Sequence, residues 1–306
     1  MEYKRLGLTD LDISRLGFGC WAIGGSRFAE VDDRDSIAAV REALNQGINF
    51  FDTADVYGFG HSEEILCKAL GSHRKEVVIA TKFGINWDEN GKTTRDCSPK
   101  RVVEALEGSL RRLKLDCIAL YQIHWRDPKV PVGETMEGLK KCQQAGKIRY
   151  IGCSNFSSYL MSEALKTSRL ESVQVAYNAV ERNVEEETLP FCQKHEVGVL
   201  AYSPLAQGVL TGKYEYGAEF AKDDFRSRSE NFQGERFKTN LAMADRLKEL
   251  GIRYGKTPSQ VAIRWILDNP SITCAIAGIR KPEQIIENAG SLNWRLSQKD
   301  REFLMS

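Results

Sequence analysis

Eight short apolar runs, each followed by a stretch of helical period, predict a closed (β/α)8 barrel of the TIM type. Two further observations agree. The first run ends in GFGCWAIGG, whose glycines are wrongly spaced for a GxGxxG dinucleotide turn, and no acidic residue follows a second strand in the matching role. This disfavours an open doubly wound sheet, the alternative for the same alternation. Chemically active side chains also close three successive runs, and barrels carry their active sites at the C-terminal ends of their strands.

Taken in order, YKRLGLTDLDISRLGFG reads as an N-terminal hairpin leading into the first barrel strand. Strands are expected near 16–20, 48–52, 77–82, 118–123, 148–152, 173–176, 198–202 and 273–276, each an apolar run of strand length. The helical stretches between them are DSIAAVREALNQG, SEEILCKALG, SPKRVVEALEGSLRRLK, VGETMEGLKKCQQAG, SSYLMSEALKTS, EEETLPFCQKH and SQVAIRWILDN. Several begin at Ser or Asp and end at Gly, as helix caps do. In the first, Asp35 is placed to cap, Ile37, Val40 and Leu44 share a face, and Gly47 stops the helix.

The rhythm breaks from about Gly208 to Thr239, where GVLTGKYEYGAEFAKDDFRSRSENFQGERFKT is charged and aperiodic. A long irregular segment in a compact domain is disordered or a functional flap, and basic and aromatic residues suit a flap over a phosphorylated ligand. LAMADRLKELGIRYG adds a helix after it. No linker or low-complexity segment interrupts the chain, so residues 1–306 are expected to form one barrel domain.

The 306 residues are 42% hydrophobic and 28% charged, enough for a large core, and the net charge of +1 argues against nucleic acid or an anionic membrane surface as partner. No apolar run approaches the roughly 20 residues that span a bilayer, and the N-terminus does not read as a secretory signal. The eight cysteines are scattered without a CxxC pair, most of them in apolar runs. They read as reduced core thiols of a cytoplasmic protein, with neither zinc nor disulfides expected.

Asp52 and Tyr57 lie in INFFDTADVYG, Lys82 ends VVIATK, and His124 ends IALYQIH. Singly, each has a plain reading: a cap, a turn aromatic, a core histidine. Lysine is the odd one, since it is rarely buried unpaired. If the strands are parallel neighbours, the four converge as a proton-transfer device. A lysine cation lowers the pKa of a nearby phenol from about 10, an aspartate holds the lysine, and an imidazole orients a carbonyl oxygen. Reducing an aldehyde or ketone requires this proton and a hydride from a cofactor. His61, His73 and His195 lie in polar or helical contexts and read as surface residues.

With FFDTADVYGFGHSEE, VIATKFG, LYQIHW, GKIRYIGCSNF, VQVAYN, LAYSPLAQGVLTGKY and IAGIRKPEQIIENAG in this order, the chain resembles the aldo-keto reductases over nearly its whole length. The short C-terminal tail and IAGIRKPEQ look more like the bacterial and plant branches, and the potassium-channel β subunits, than the aldose reductase branch. The resemblance implies NADP(H) as cofactor, Tyr57 as proton donor, Lys82 and Asp52 as its tuning partners, and His124 as carbonyl orienter. It implies Ser154, Asn155 and Gln174 at the nicotinamide carboxamide and Tyr202 against its ring. Ser203, Leu205, Gln207 and Lys213 would follow the pyrophosphate. Gly278, Arg280, Gln284, Glu287 and Asn288 would take the adenosine end, with Lys281 beside Arg280 favouring a 2′-phosphate. Trp21, Trp87 and Trp125 are expected at the substrate pocket, and Arg226 as a cofactor clamp. Arg126 stands where relatives commonly have proline, near the expected pocket mouth, and would bias it toward anionic substrates.

Two rivals share the fold. A cofactor-binding regulatory subunit with little turnover keeps the site but acts through a partner; the intact four residues favour an enzyme. A barrel lyase or isomerase would leave Ser154, Asn155, Gln174 and Tyr202 without a purpose.

Overall fold

The computed structural model describes residues 1–25, 32–221 and 224–305. The N-terminal hairpin pairs β1 (Tyr3–Arg5) with β2 (Asp12–Ser14). The barrel strands are β3 (Leu16–Gly19), β4 (Phe50–Asp52) and β5 (Val78–Phe83), then, after a second hairpin of β6 (Ile85–Trp87) and β7 (Thr93–Arg95), β8 (Ile118–Ile123), β9 (Ile148–Ser154), β10 (Ser172–Ala176), β11 (Gly198–Tyr202) and β12 (Ile272–Gly278). They close in the order β3-β4-β5-β8-β9-β10-β11-β12, and every neighbouring pair is parallel. This is the expected (β/α)8 barrel, with strands where the apolar runs placed them.

Around it lie α1 (Asp33–Asn45), α2 (His61–Leu70), α3 (Pro99–Leu113), α4 (Val132–Gln144), α5 (Ser158–Leu165), α6 (Thr188–His195), α7 (Gly234–Tyr254), α8 (Pro258–Leu267), α9 (Pro282–Ala289) and α10 (Gln298–Met305). Local chemistry sets their starts. Ser98 and Thr257 cap α3 and α8 with their hydroxyls, and Pro99 and Pro258 occupy the first helical positions. The cap of α1 is Asp32, whose carboxylate accepts from Arg34 N–H at 2.8 Å; Asp35 lies in the first turn instead. Either carboxylate satisfies the sequence rule, and the one that precedes the turn takes the role.

The irregular segment is shorter than expected. Helix α7 already begins at Gly234, because Phe237 and Asn240 are buried one turn apart and extend its core-facing stripe backwards. Before it the chain runs through short 3-10 turns at Ala206–Thr211, Phe225–Arg228 and Glu230–Phe232. Lys222 and Asp223 of the expected loop lie outside the described residues.

Two apolar layers form the core. The outer one packs strand faces against helices through residues such as Phe51, Ile79, Tyr121, Val173 and Leu106. The inner one fills the barrel with Phe50, Ala80, Leu120, Leu200, Cys274 and Ile276, and the N-terminal hairpin adds Leu6, Leu11 and Ile13. Barrel interiors are packed rather than hollow, so polar groups inside this one must be paired.

Candidate active site

Side chains two apart on a strand share a face. Two residues beyond the inner core, on the same strands, stand Asp52 after Phe50, Lys82 after Ala80, Gln122 after Leu120, Tyr202 after Leu200 and Gly278 after Ile276. His124 follows Gln122 by two again. Barrel register then sets them side by side: Lys82 is level with Gln122, and Gln174 with Ser154. The site is the polar continuation of the inward-facing stripe whose lower part is apolar.

Lys82 is wholly buried. Its Nζ donates to Asp52 Oδ2 at 2.6 Å and to the Thr53 carbonyl at 2.8 Å, and lies 3.4 Å from Tyr57 Oη. The other oxygen of Asp52 accepts from Gln174 Nε2 at 2.7 Å and from Gln122 Nε2 at 3.2 Å. The carboxylate is thereby held on both sides, and its lysine is aimed at one phenol. Tyr57 meets His124 edge to face, with centroids 5.6 Å apart. The turn after Tyr57 depends on Gly58: its φ is 59°, and a Cβ there would lie 2.0 Å from the Gly24 carbonyl oxygen.

Burial pushes the Tyr57 phenol up from its ordinary value; Lys82 pulls it down but does not outweigh burial. The expectation of a net lowering is therefore corrected: desolvation in the barrel mouth exceeds the lysine's effect, and the group is a neutral phenol with a proton to give. Desolvation also pulls Lys82 down, but the Asp52 carboxylate and Tyr57 more than offset it, and the ammonium is held above its usual range. Burial, aided by the Lys82 cation, holds His124 well below the usual imidazole value, so this ring is neutral.

A cavity of about 710 Å³ opens over these groups. Asp52, Tyr57 and His124 form its floor, while Lys82 stands behind Asp52 and Tyr57. Ser154, Asn155, Gln174, Tyr202, Ser203, Leu205, Gln207, Lys213, Arg226, Gly278, Arg280 and Gln284 all line it, as do Trp21 and Trp125. Tyr202 donates to Asn155 Oδ1 at 2.9 Å, and burial pushes its phenol up to about 12. Asn155, Ser203, Ala206 and Gln207 all have positive φ between 45° and 61°, a concentration of uncommon backbone typical of ligand clamps. Arg226 pairs with Asp224 and donates to the Tyr214 hydroxyl at 2.6 Å.

Some expected residues lie off the cavity wall. Trp87 packs against Phe59 and under Arg101. Glu287 accepts from the Thr257 hydroxyl at 3.0 Å, and Asn288 is buried. Arg126 is exposed, and its side chain is not on the wall. Periodicity places such residues on an element but not on its cavity-facing side. Conversely, Gln122 was missed, although a polar residue two before His124 on an apolar strand marks the inward stripe. Thr93, Thr94 and Arg95 of the β6–β7 hairpin were missed too, since an exposed two-stranded hairpin carries no apolar signal.

A closed α/β barrel with a buried Asp–Lys pair aimed at a tyrosine in its mouth belongs to the class of barrel oxidoreductases. The aldo/keto reductase family model matches residues 15–304, and the chain belongs to that family. It is 42% identical over 305 residues to the aldo-keto reductase YhdN of Bacillus subtilis, covering 99% of this chain and 92% of that protein. It is 35% identical to the NADH-specific methylglyoxal reductase of Escherichia coli, over 98% of this chain and 96% of the relative. Among solved structures, the glycerol dehydrogenase AKR11B4 of Gluconobacter oxydans superposes with a TM-score of 0.93 at 39% identity, covering 99% and 94% of the two chains. Members of the family use nicotinamide cofactors on small carbonyl substrates or their alcohols. No helix among the described residues is long and apolar enough to cross a membrane.

Proposed function

We propose that this chain, acting as one unit over residues 1–306, is an NADP(H)-dependent reductase of aldehydes and ketones with Tyr57 as its general acid. The carrying observation is that Lys82 Nζ, locked by Asp52 and the Thr53 carbonyl, stands 3.4 Å from Tyr57 Oη. A fixed cation there stabilises the phenolate that remains once the proton has gone. The neutral His124 ring, edge-on to Tyr57, has an N–H with which to orient the carbonyl oxygen. Reversal of the proton transfer serves alcohol oxidation.

The wall suits a dinucleotide. Ser154, Asn155 and Gln174 offer the donors and acceptors that a carboxamide needs, and Tyr202 offers a flat face. Ser203, Leu205, Gln207 and Lys213 bring backbone and a cation for a pyrophosphate, with Arg226 beside them. Gly278, Arg280 and Gln284 sit at the opening of α9, and Gln284 Oε1 accepts from the Arg280 and Lys281 N–H groups at 2.8 and 3.1 Å. Glu287 and Asn288, within α9, would hold that helix in place, Glu287 by accepting from the Thr257 hydroxyl at the start of α8. When bound, the cofactor supplies the hydride; the protein's part is to hold, orient and protonate. A cytoplasmic site of action is proposed on the sequence alone, whose eight cysteines are scattered without a CxxC pair and read as reduced thiols.

The relative from E. coli is named NADH-specific, so cofactor choice is the sharp test. Arg280 on the wall, with Lys281 next to it, favours a 2′-phosphate. Arg280→Ala should weaken NADPH but not NADH by about 1.5–3 kcal/mol, the worth of a charge-assisted hydrogen bond. Fluorescence titration of both cofactors decides; a wild type that prefers NADH overturns the assignment. NADPH oxidation scanned over aldehydes and ketones tests the activity and separates a reductase from a regulatory subunit.

A further inference from the structure

We infer that Arg95 is a specificity-determining residue for this site and selects carbonyl substrates that carry a carboxylate; the inference rests on the reductase reading above. Arg95 ends the β6–β7 hairpin, which follows directly on β5, the strand that carries Lys82. It lines the cavity together with Ile85, Thr93 and Thr94. Its guanidinium lies 5.4 Å from the ring of Trp125, the residue next to His124. A cation over the mouth is thus tied to the strand end that presents the imidazole.

Four cations line the cavity, and they fall into two groups. Lys213 follows β11 and Arg280 follows β12, while the partner of Arg226, Asp224, lies within electrostatic reach of Arg280, and its neighbour Phe225 meets Trp21 beyond β3. Round the closed ring, β12 is four strands from β8, whose end carries the Trp125 that Arg95 stacks on. Arg95 therefore stands across the barrel mouth from Arg280, the cation proposed for the 2′-phosphate. A dinucleotide held by the first group does not use it.

Arg95 is also uncommitted. Its polar contact is a long one, Nη1 to the Arg126 carbonyl at 3.5 Å, and no carboxylate among the described residues pairs with it. The nearby acids are engaged: Asp96 accepts from Ser98 N–H and Asp127 from Lys129 N–H. Arg101, the arginine over Trp87, differs in being paired with Asp55 at 3.1 Å. Among the described residues, Asp52 is the one carboxylate on the cavity wall, and it is spent on Lys82. Stacking on an indole leaves a guanidinium's N–H edge open, and that edge matches a carboxylate in a planar, two-point fit. Arg95 thus takes the part that the sequence suggested for Arg126.

The test compares 4-carboxybenzaldehyde with its methyl ester, which share a ring and a reacting group and differ in charge. The quantity read is the ratio of kcat/KM, acid over ester, in wild type, Arg95→Gln, Arg95→Lys and Arg126→Gln. The ratio should fall at least tenfold in Arg95→Gln, mainly through KM, recover in part in Arg95→Lys, and hold in Arg126→Gln. A ratio within twofold of wild type in Arg95→Gln, or a fall in Arg126→Gln instead, overturns the inference. A wild type that reduces neither compound counts against the reductase reading. The second arm then decides on Arg95: 4-(hydroxymethyl)benzoate and its methyl ester are titrated calorimetrically into the NADP-saturated protein. Tighter binding of the acid that disappears in Arg95→Gln supports the assignment; equal binding of acid and ester by the wild type refutes it.

Discussion

Lys82 and Asp52 form an ion pair at 2.6 Å with side chains 0% and 5% exposed. Such a pair contributes little net stability, because desolvation consumes most of the Coulomb gain, but breaking it strands a charge. Lys82→Met leaves Asp52 buried among Gln122 and Gln174 with no cation, and should cost about 3–5 kcal/mol. Pairing it with Asp52→Asn should restore much of that stability while activity stays lost. Urea unfolding of both single variants and the double variant measures the coupling; simple additivity would mean that the pair is not held in the folded protein.

Tyr57→Phe removes a hydroxyl and keeps the ring that packs against His124. If this phenol gives the proton, turnover should fall by about 10²–10⁴-fold, the range for a lost general acid. Stopped-flow hydride transfer reads the loss, and a separate fluorescence titration should show cofactor affinity nearly unchanged. A variant that reduces a good aldehyde within threefold of wild type refutes the mechanism.

The neutrality of His124 has two consequences. Its value lies well below the ordinary imidazole range because it is buried beside Lys82, so kcat/KM should show no limb near about 6.5, the free imidazole value. For stability the sign is opposite to that of a paired histidine. Below about 6.5 the unfolded chain takes up a proton that the folded ring refuses, so stability should fall as pH drops toward the folded value. Thermal melts of wild type and His124→Gln from pH 4 to 8 test this. A gap between the two curves that does not change with pH would mean the ring titrates normally.

Behind the site, Asp55 is fully buried; Arg101 reaches Oδ2 at 3.1 Å, but Oδ1 has no partner among the described residues. Burial, with the like charge of Glu63, pushes its carboxyl up to about 8 from 3.8, against the pull of Arg101. Between those values the folded chain holds a proton that the unfolded chain has lost, so this group's contribution to stability declines as pH rises from about 4 to about 8. Asp55→Asn should remove that slope, leaving a variant that gains relative to wild type as pH rises. Melting temperatures of the two across this range decide. A constant difference would show that Arg101 keeps Asp55 charged throughout.

Much of this was legible in the chain itself. Apolar runs of strand length alternate with helical stretches because each element must bury one face, and this was enough for eight parallel strands in a closed ring. The polar residues that end the second, third and fourth runs are conspicuous against apolar neighbours, so Asp52, Tyr57, Lys82 and His124 stood out by position. What a linear pattern does not carry is which groups share a face across the barrel, and what burial does to them. Register brought Gln122 and Gln174 onto Asp52, and desolvation reversed the expected direction for Tyr57. The β6–β7 hairpin, polar and exposed, gave no periodic signal, yet it set Arg95 on the cavity wall while Arg126 was left outside. Local propensity and hydrophobic period act along the chain and are written there residue by residue. Pairing, solvent exclusion and the choice between two arginines arise among strands far apart in sequence, and closure of the barrel decided them.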